Sequence, residues 1–336
     1  MAPVESESDR PVIICSFARA SVEELPCLKD LSKDYETILW EEFLVDPERY
    51  SQRVLGIITS PYHPPTLTER EMQFMPNLRV YSTASVGLDH INLPLLKKFG
   101  VRLGYTPNPV TKSTADMGFT LMLAAARRLP EMQGVARSYH AGSPMDAAKS
   151  RQYLGQNLHN STLGIVGLGK IGLEVAKRAI GFDMKVFYHN RRQRSTEIEQ
   201  SVRATYCPTL EALLPQVDFL MLTAPLTEET RNMMNKDRFK LMKPTSILIN
   251  IARGPLVNTD DLIEALESGT ISGAALDTVE PEPLPNDHVL FTMQNVIVTP
   301  HCGVFTTEAF DKMFNTAVEN LLAGIGNSKM VSEMIL

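Results

Sequence analysis

From Pro11 onward, short apolar runs alternate along the chain with stretches whose apolar residues recur at helical spacing. Val12 to Cys15, Thr37 to Trp40, Val54 to Thr59, Val80 to Ser82 and Val101 to Tyr105 read as buried strands. The third stops before Pro61, which cannot donate to a ladder. Val22 to Leu31 and Leu93 to Phe99 read as helices between them. Thr106-Pro107-Asn108-Pro109 then breaks the alternation, since neither a helix nor a central strand continues through two prolines. A strong helix is predicted over Ala115 to Arg128. The segment from Glu131 to Asn160 is polar and weakly periodic: a surface excursion, or an arm that embraces a partner subunit.

A second run of the same alternation follows. Its strands are Leu163 to Val166, Met184 to His189, Ala204 to Tyr206, Phe219 to Leu222, Ser246 to Asn250, Ala274 to Leu276 and Val296 to Val298. Helices fit Leu173 to Ile180, Leu210 to Leu214, Lys236 to Leu241 and Asp260 to Ser268, the last with Thr259 ahead of it as an N-terminal signal. A second crossing is expected at Pro300 to Gly303, and an amphipathic helix over Glu308 to Ile325 closes the chain. Such β-α alternation specifies parallel sheets with helices on both faces. The middle of the chain then forms one domain, inserted between two ends that together build the other, with a cleft between them where a pocket is expected.

The inserted part opens on a strand, the glycines Gly167, Gly169 and Gly172 at GxGxxG spacing, and a helix. That context is what gives the glycines a ligand. Gly167 allows the tight turn, Gly169 lets a pyrophosphate approach the backbone, and Gly172 lets the helix pack against the strand. The phosphates would lie on the N–H groups at the positive end of the helix. An acid that binds the adenosine ribose stands about 20 residues further on in many such units. Here Asn190, Arg191, Arg192, Gln193 and Arg194 occupy that place, without a carboxylate. Guanidinium groups bind phosphate through forked, charge-assisted hydrogen bonds, so the loop predicts NADPH/NADP rather than NAD(H).

Composition narrows the class without changing this reading. The 336 residues suffice for two cores, and 43% hydrophobic with 21% charged residues is ordinary for a globular chain. The net charge of −6 argues against a general nucleic-acid binder. No apolar run approaches the roughly 18 residues that span a bilayer, so no membrane partner is expected. Met1 to Arg10 lacks the plan of a secretory signal, and Ser332 to Leu336 carries no retention or peroxisomal address. Cys15, Cys27, Cys207 and Cys302 are scattered, without metal-ligand spacing, which predicts reduced thiols, no metal and a cytoplasmic location.

Three segments that follow strands of the second run could carry chemistry. Arg253, in Asn250-Ile251-Ala252-Arg253-Gly254, could clamp a carboxylate bidentately; an inter-strand salt bridge is the plain alternative. Asp277-Thr278-Val279-Glu280-Pro281-Glu282-Pro283 holds carboxylates on a proline-stiffened loop. His301, in Thr299-Pro300-His301-Cys302-Gly303, is the type of side chain most readily tuned to move a proton near neutrality. His63, His90, His140, His159 and His288 read as structural. In the other domain, Gly87 follows a strand within Ser85-Val86-Gly87-Leu88-Asp89 and leaves backbone N–H groups to face an anion; a plain tight turn is the alternative. A nicotinamide cofactor with an arginine, a carboxylate and a histidine points to hydride transfer to a carbonyl.

With Ser85 to Asp89, Gly167 to Gly172, Asn250 to Gly254, Asp277 to Pro285 and Pro300 to Gly303 all present, the chain resembles the D-isomer-specific 2-hydroxyacid dehydrogenases, nearest their glyoxylate reductase/hydroxypyruvate reductase branch. The resemblance spans nearly the whole chain. It implies an α/β fold of two Rossmann-like parallel-sheet domains, one flavodoxin-like and one dinucleotide-binding, with an interdomain cleft. The substrate-binding domain would comprise residues 1–108 and 304–336, and the inserted NAD(P)-binding domain residues 109–303. His301 would be the general acid, and Glu282, five residues after Asp277, would hydrogen-bond it and hold its proton. Arg253 would bind the substrate carboxylate together with the backbone of Val86 and Gly87. Asp277 would contact the nicotinamide end. Gly169, Lys170 and Ile171 would line the pyrophosphate, and Arg191 and Arg194 the 2′-phosphate, with Arg192 adding to them. Asn190, Ile251 and Gly303 complete the expected cofactor-binding set, and a homodimer through the cofactor domain is the expected assembly.

The chain departs from the family pattern where Val304 and Phe305 follow Gly303, and where the reductase branch carries a tryptophan in its arm. The only tryptophan is Trp40, so Tyr139 or Tyr153 would take that place. Both departures bear on which small 2-keto acid is reduced: glyoxylate, hydroxypyruvate or a longer 2-keto sugar acid. A reading from another class, an NAD(H)-sensing interaction protein like the corepressors built on this scaffold, is opposed by the arginines at 191, 192 and 194.

Overall fold

The computed structural model describes residues 10–17, 24–138 and 151–336. They fall into two compact units, Met1–Val110 with Thr306–Leu336, and Thr111–Phe305. Among the described residues, no helix is long and apolar enough to cross a membrane.

In the first unit β1 (Val12–Ser16), β2 (Glu36–Leu39), β3 (Val54–Thr59), β4 (Val80–Thr83) and β5 (Arg102–Gly104) form a parallel sheet in the order β5-β4-β3-β1-β2. That is the flavodoxin-like order. These strands are near-continuous apolar runs because both faces are covered: Val12, Ile13, Ile14, Ile57 and Ile58 are fully buried. A two-residue strand, Glu333–Met334, adds antiparallel to β5 at the edge.

Two elements differ from their sequence reading. Trp40 does not end β2; it opens the helix Trp40–Val45, where Glu42 accepts from the backbone N–H of Leu39 at 2.8 Å and Glu41 and Glu42 favour the positive helix end. Of the helix expected over Val22 to Leu31, the described part is the helix Pro26–Asp34, with Pro26 at a position suited to the first helical turn; residues 18–23 lie outside the described residues.

The second unit begins with the helix Thr111–Ala126, followed by the helix Leu129–Ser138, which runs into the start of the segment read as polar excursion. Tyr139 and His140 lie outside the described residues. The strands β6 (Thr162–Val166), β7 (Lys185–His189), β8 (Ala204–Tyr206), β9 (Phe219–Leu222), β10 (Ile247–Asn250), β11 (Gly273–Leu276) and β12 (Val296–Val298) make one parallel sheet. Their order is β12-β11-β10-β9-β6-β7-β8, so the strand order reverses at β6 and β9. In open sheets of this kind ligands bind outside the carboxyl ends of the strands at that reversal. Two apolar clusters sandwich the sheet, one around Leu213, Leu220, Leu248 and Phe239, the other around Ile165, Val175, Met221 and Ile249.

Candidate active site

Because every strand of the second sheet runs the same way, the segments after β6, β7, β9, β10, β11 and β12 all leave from one edge. They carry the glycine turn, Asn190 to Arg194, Thr223 to Arg231, Ile251 to Gly254, Asp277 to Glu282 and Thr299 to Gly303.

The glycine turn is fixed by what touches it. Gly167 has φ +104°, and a Cβ there would lie 2.6 Å from the backbone nitrogen of Ala224. A Cβ on Gly172 would lie 2.4 Å from the carbonyl oxygen of Gly167, so the helix Lys170–Gly181 closes on its own strand only because that atom is missing. At Gly169, by contrast, a Cβ would meet no described atom within 4 Å. The space beside Gly169 is open, as a cradle for a bulky group requires. The first α-helical bond runs from Leu173 N to Gly169 O at 2.9 Å, so the amides of Ile171 and Gly172 have no carbonyl one turn earlier in the helix. The turn is braced from β7: Gly167 N donates to His189 O at 3.0 Å, and Leu168 N to Oδ1 of Asn190 at 2.6 Å. Asn190, one of the residues expected at the cofactor, thus braces the glycine turn through its side chain.

Beyond Asn190 stand Arg191 and Arg192, both exposed, and the half-buried Arg194. Arg194 N donates to the Tyr188 hydroxyl at 2.8 Å, and that hydroxyl donates to Glu199 at 2.7 Å. Burial, aided by the Glu199 carboxylate, pushes the Tyr188 phenol up to about 12, so it stays protonated as the donor in this relay. Among the described residues the buried Nε of Arg194 has no hydrogen-bond partner. A buried guanidinium nitrogen without an acceptor after β7, and an open glycine cradle at a helix N-terminus after the neighbouring β6, fit an extended ligand with anionic groups at both places.

After β10, Asn250 pins the next turn from both sides. Its Nδ2 donates to Arg253 O at 2.8 Å and its Oδ1 accepts from Ala252 N at 3.1 Å. Arg253 is half-buried, with Nη1 donating to Ala252 O at 2.7 Å. Ile251 is buried. A Cβ on Gly254 would lie 1.8 Å from Val279 O, so the Arg253 turn and the acidic loop after β11 meet backbone to backbone.

That acidic loop and the segment after β12 form a tight constellation. Nδ1 of His301 lies 2.6 Å from Oε1 of Glu282, and both side chains are partly exposed. His301 has φ +53°, a conformation that costs a residue with a side chain about 1–2 kcal/mol. What holds it there is the buried Asp277. This carboxylate accepts from Cys302 N and Gly303 N, each at 2.9 Å, and from the Thr299 hydroxyl at 2.6 Å, while His301 N donates to Thr299 O at 3.0 Å. Asp277 is therefore committed to the histidine's backbone. Thr299, which the sequence does not mark, belongs to the same arrangement. Glu280, the neighbouring acid, turns away to Arg231 at 3.4 Å. The Cys302 thiol is pushed up, by burial first and then by Asp277, and is a neutral neighbour of the histidine.

The other expected residues lie elsewhere. Val86 and Gly87 follow β4 in the first unit, where the Ser85 hydroxyl donates to Gly87 O at 2.8 Å and Val86 is exposed. Tyr153 is half-buried in the turn Arg151–Tyr153. His288 caps a short helical turn, accepting from Leu290 N at 3.3 Å. Among the described residues, no three His, Cys, Asp or Glu side chains converge as metal ligands.

Residues 119–303 match the family model described as D-isomer specific 2-hydroxyacid dehydrogenase, NAD binding domain. The glyoxylate reductase of Pyrococcus furiosus is 39% identical over 301 residues, 87% of each chain. The human glyoxylate reductase/hydroxypyruvate reductase is 42% identical over 260 residues, 77% of this chain and 78% of that one. Among solved structures, the NADPH-dependent glyoxylate/hydroxypyruvate reductase of Sinorhizobium meliloti, in complex with NADP and malonate, superposes with a TM-score of 0.80 at 27% identity over 97% of each chain. With the glycine turn, the Arg253 turn and the His301–Glu282 pair on one sheet edge, and relatives of this closeness over most of its length, the chain belongs to the D-isomer-specific 2-hydroxyacid dehydrogenase family.

Proposed function

We propose that the protein reduces a small 2-keto acid of the size of glyoxylate or hydroxypyruvate, or a related 2-keto sugar acid, to the D-2-hydroxy acid, using NADPH. The observation that carries this reading is the 2.6 Å pair of His301 and Glu282 on the sheet edge that also bears the glycine turn. When bound, the reduced nicotinamide supplies the hydride. His301 donates a proton from Nε2 to the carbonyl oxygen as it gains charge, while Glu282 accepts from Nδ1 and keeps the ring oriented. Arg253 binds the substrate carboxylate through its fork and polarises the adjacent carbonyl. The backbone N–H groups of Val86 and Gly87 serve as further carboxylate donors. Asp277 holds the histidine's loop and borders the nicotinamide end, with Ile251 and Gly303.

The residues that would hold the dinucleotide are Gly167, Gly169, Lys170, Ile171 and Gly172 at the pyrophosphate and Arg191, Arg192 and Arg194 at a 2′-phosphate, with Asn190 fixing the turn between them. The partnerless Nε of Arg194 supports the phosphorylated cofactor over NADH. Residues 1–108 with 304–336 would bind substrate, and residues 109–303 cofactor. A cytoplasmic homodimer is part of the same reading, supported by four free thiols and by Leu129 and Leu154, exposed next to the helix pair of the cofactor unit.

The test is NADPH consumption against a panel of 2-keto acids, repeated with NADH. Turnover of glyoxylate or hydroxypyruvate with a clear NADPH preference is expected. No turnover of any 2-keto acid would overturn the reaction, and equal use of NADH would overturn the cofactor.

A further inference from the structure

Sheet order puts β6 between β9 and β7, so the loops leaving those two strands flank the glycine turn on either side. Glu229 stands on the loop after β9 and Arg191 on the loop after β7, and their charged groups meet at 3.6 Å. The ion pair thus joins the two loops that border the dinucleotide cradle.

The two partners are held differently. The Glu229 turn is heavily braced. Thr227 N donates to the Thr230 hydroxyl at 2.7 Å, that hydroxyl donates to Pro225 O at 2.8 Å, and Arg231 N donates to Thr227 O at 3.0 Å. The Thr227 hydroxyl then donates to Oε2 of Glu229 at 3.2 Å, aiming the carboxylate itself. The same loop abuts the glycine turn at Ala224. Arg191, 83% exposed on its side chain, faces an acid that is itself 75% exposed but oriented by Thr227.

We infer that Glu229 is a specificity-determining residue: its carboxylate occupies the Arg191 guanidinium that the adenosine 2′-phosphate requires. The inference rests on the NADPH reading given above. Binding of the 2′-phosphorylated dinucleotide exchanges one anion for another on Arg191 and places a dianion near a carboxylate that Thr227 holds in place. The unphosphorylated dinucleotide makes no such demand and leaves the pair as it is. Glu229 therefore reduces the discrimination that Arg191, Arg192 and Arg194 provide, and lets NADH compete. Since the two side chains are 83% and 75% exposed, the effect is that of a surface pair, no more than roughly fivefold in a dissociation constant.

The experiment is a fluorescence titration of NADPH and NADH onto the purified wild-type protein, Glu229→Gln, Arg191→Ala and the double variant, at low and high salt. Glu229→Gln is expected to tighten NADPH roughly two- to fivefold at low salt, to leave NADH unchanged, and to lose its advantage at high salt and in the Arg191→Ala background. If the wild type prefers NADPH and Arg191→Ala abolishes that preference, yet Glu229→Gln changes nothing or shifts both cofactors equally, the inference is overturned and the NADPH reading stands. If the wild type shows no preference and Arg191→Ala has no effect on NADPH, the NADPH reading fails and the inference falls with it.

Discussion

Nδ1 of His301 lies 2.6 Å from Oε1 of Glu282 while the histidine's own backbone is left-handed, φ +53°. A side chain that works by orientation is thus carried on a backbone that must be forced into place. The force comes from Asp277, which accepts two amide protons and a hydroxyl proton from the segment around it. The backbone of the histidine and the direction of its ring are therefore held by two different carboxylates, Asp277 and Glu282.

Removing the proton donor should separate chemistry from binding. His301→Gln is expected to lower kcat by about 10²- to 10⁴-fold, the usual worth of a positioned acid, with the NADPH dissociation constant unchanged. Glu282→Gln should lower kcat less, because an amide oxygen can still accept from Nδ1 and keep the ring turned toward the substrate. Steady-state rates across pH and a cofactor titration check both. Unchanged turnover in His301→Gln would remove the histidine from the mechanism.

Arg253 is tested by the form of the kinetic loss. Loss of a charge-assisted fork costs about 3 kcal/mol, so Arg253→Ala should reduce kcat/KM by roughly 10²-fold, mainly through a higher KM. Arg253→Lys should recover little of it, since an ammonium presents no planar pair of donors. A fall in melting temperature with kcat/KM intact would instead make the arginine a structural salt-bridge partner.

The glycine turn gives a contrast between two neighbours. Gly169→Ala places its methyl in open space and should cost the fold about 0.5–1 kcal/mol at most, the preference for glycine over alanine at a helix N-cap, while weakening dinucleotide binding. Gly172→Ala drives its methyl toward the Gly167 carbonyl and should destabilise by about 1–3 kcal/mol. Thermal melts with cofactor titrations distinguish them; equal stability loss in both would mean that neither space is as described.

What could be read from the sequence followed the size of the signal. β3 stands at Val54–Thr59 as read, because fully buried parallel strands are uninterrupted apolar runs. His301 and Glu282 could be paired in advance only through the family motif, since nineteen positions separate them and nothing local brings them together. The bracing of His301 by Asp277 and Thr299 was not legible at all: it depends on the register of β11 against β12, which places Leu276 opposite Val298 and so sets the two following segments side by side. Trp40 reads as strand because it is an aromatic at the end of an apolar run, whereas the bond from Leu39 N to Glu42 starts a helix there. Glu333–Met334 leaves no mark in the sequence, because two residues carry no period.

That short terminal strand yields a prediction with a defined pH window. Arg102 Nε donates to Oε1 of Glu333 at 2.8 Å and Nη2 to Oε2 at 2.7 Å, so a bidentate pair clips the strand to β5, and Nη2 also donates to Ser328 O at 2.8 Å. The hydrogen bond from Arg102 holds the Glu333 carboxyl below its ordinary value of 4.5. A carboxyl depressed in the folded state gives stability that is fully present above its unfolded value and is lost as pH falls through the folded one. Arg102 stays charged throughout, raised by the same bond. The wild type should therefore exceed Glu333→Gln by about 1 kcal/mol near neutrality, the range of a partly exposed ion pair. Below pH 4.5 the gap should narrow, and it should close once the native carboxyl is protonated. Urea midpoints of both proteins across that range measure it. A gap that persists undiminished in acid would mean that the clip depends on the shape of the glutamate and not on its charge.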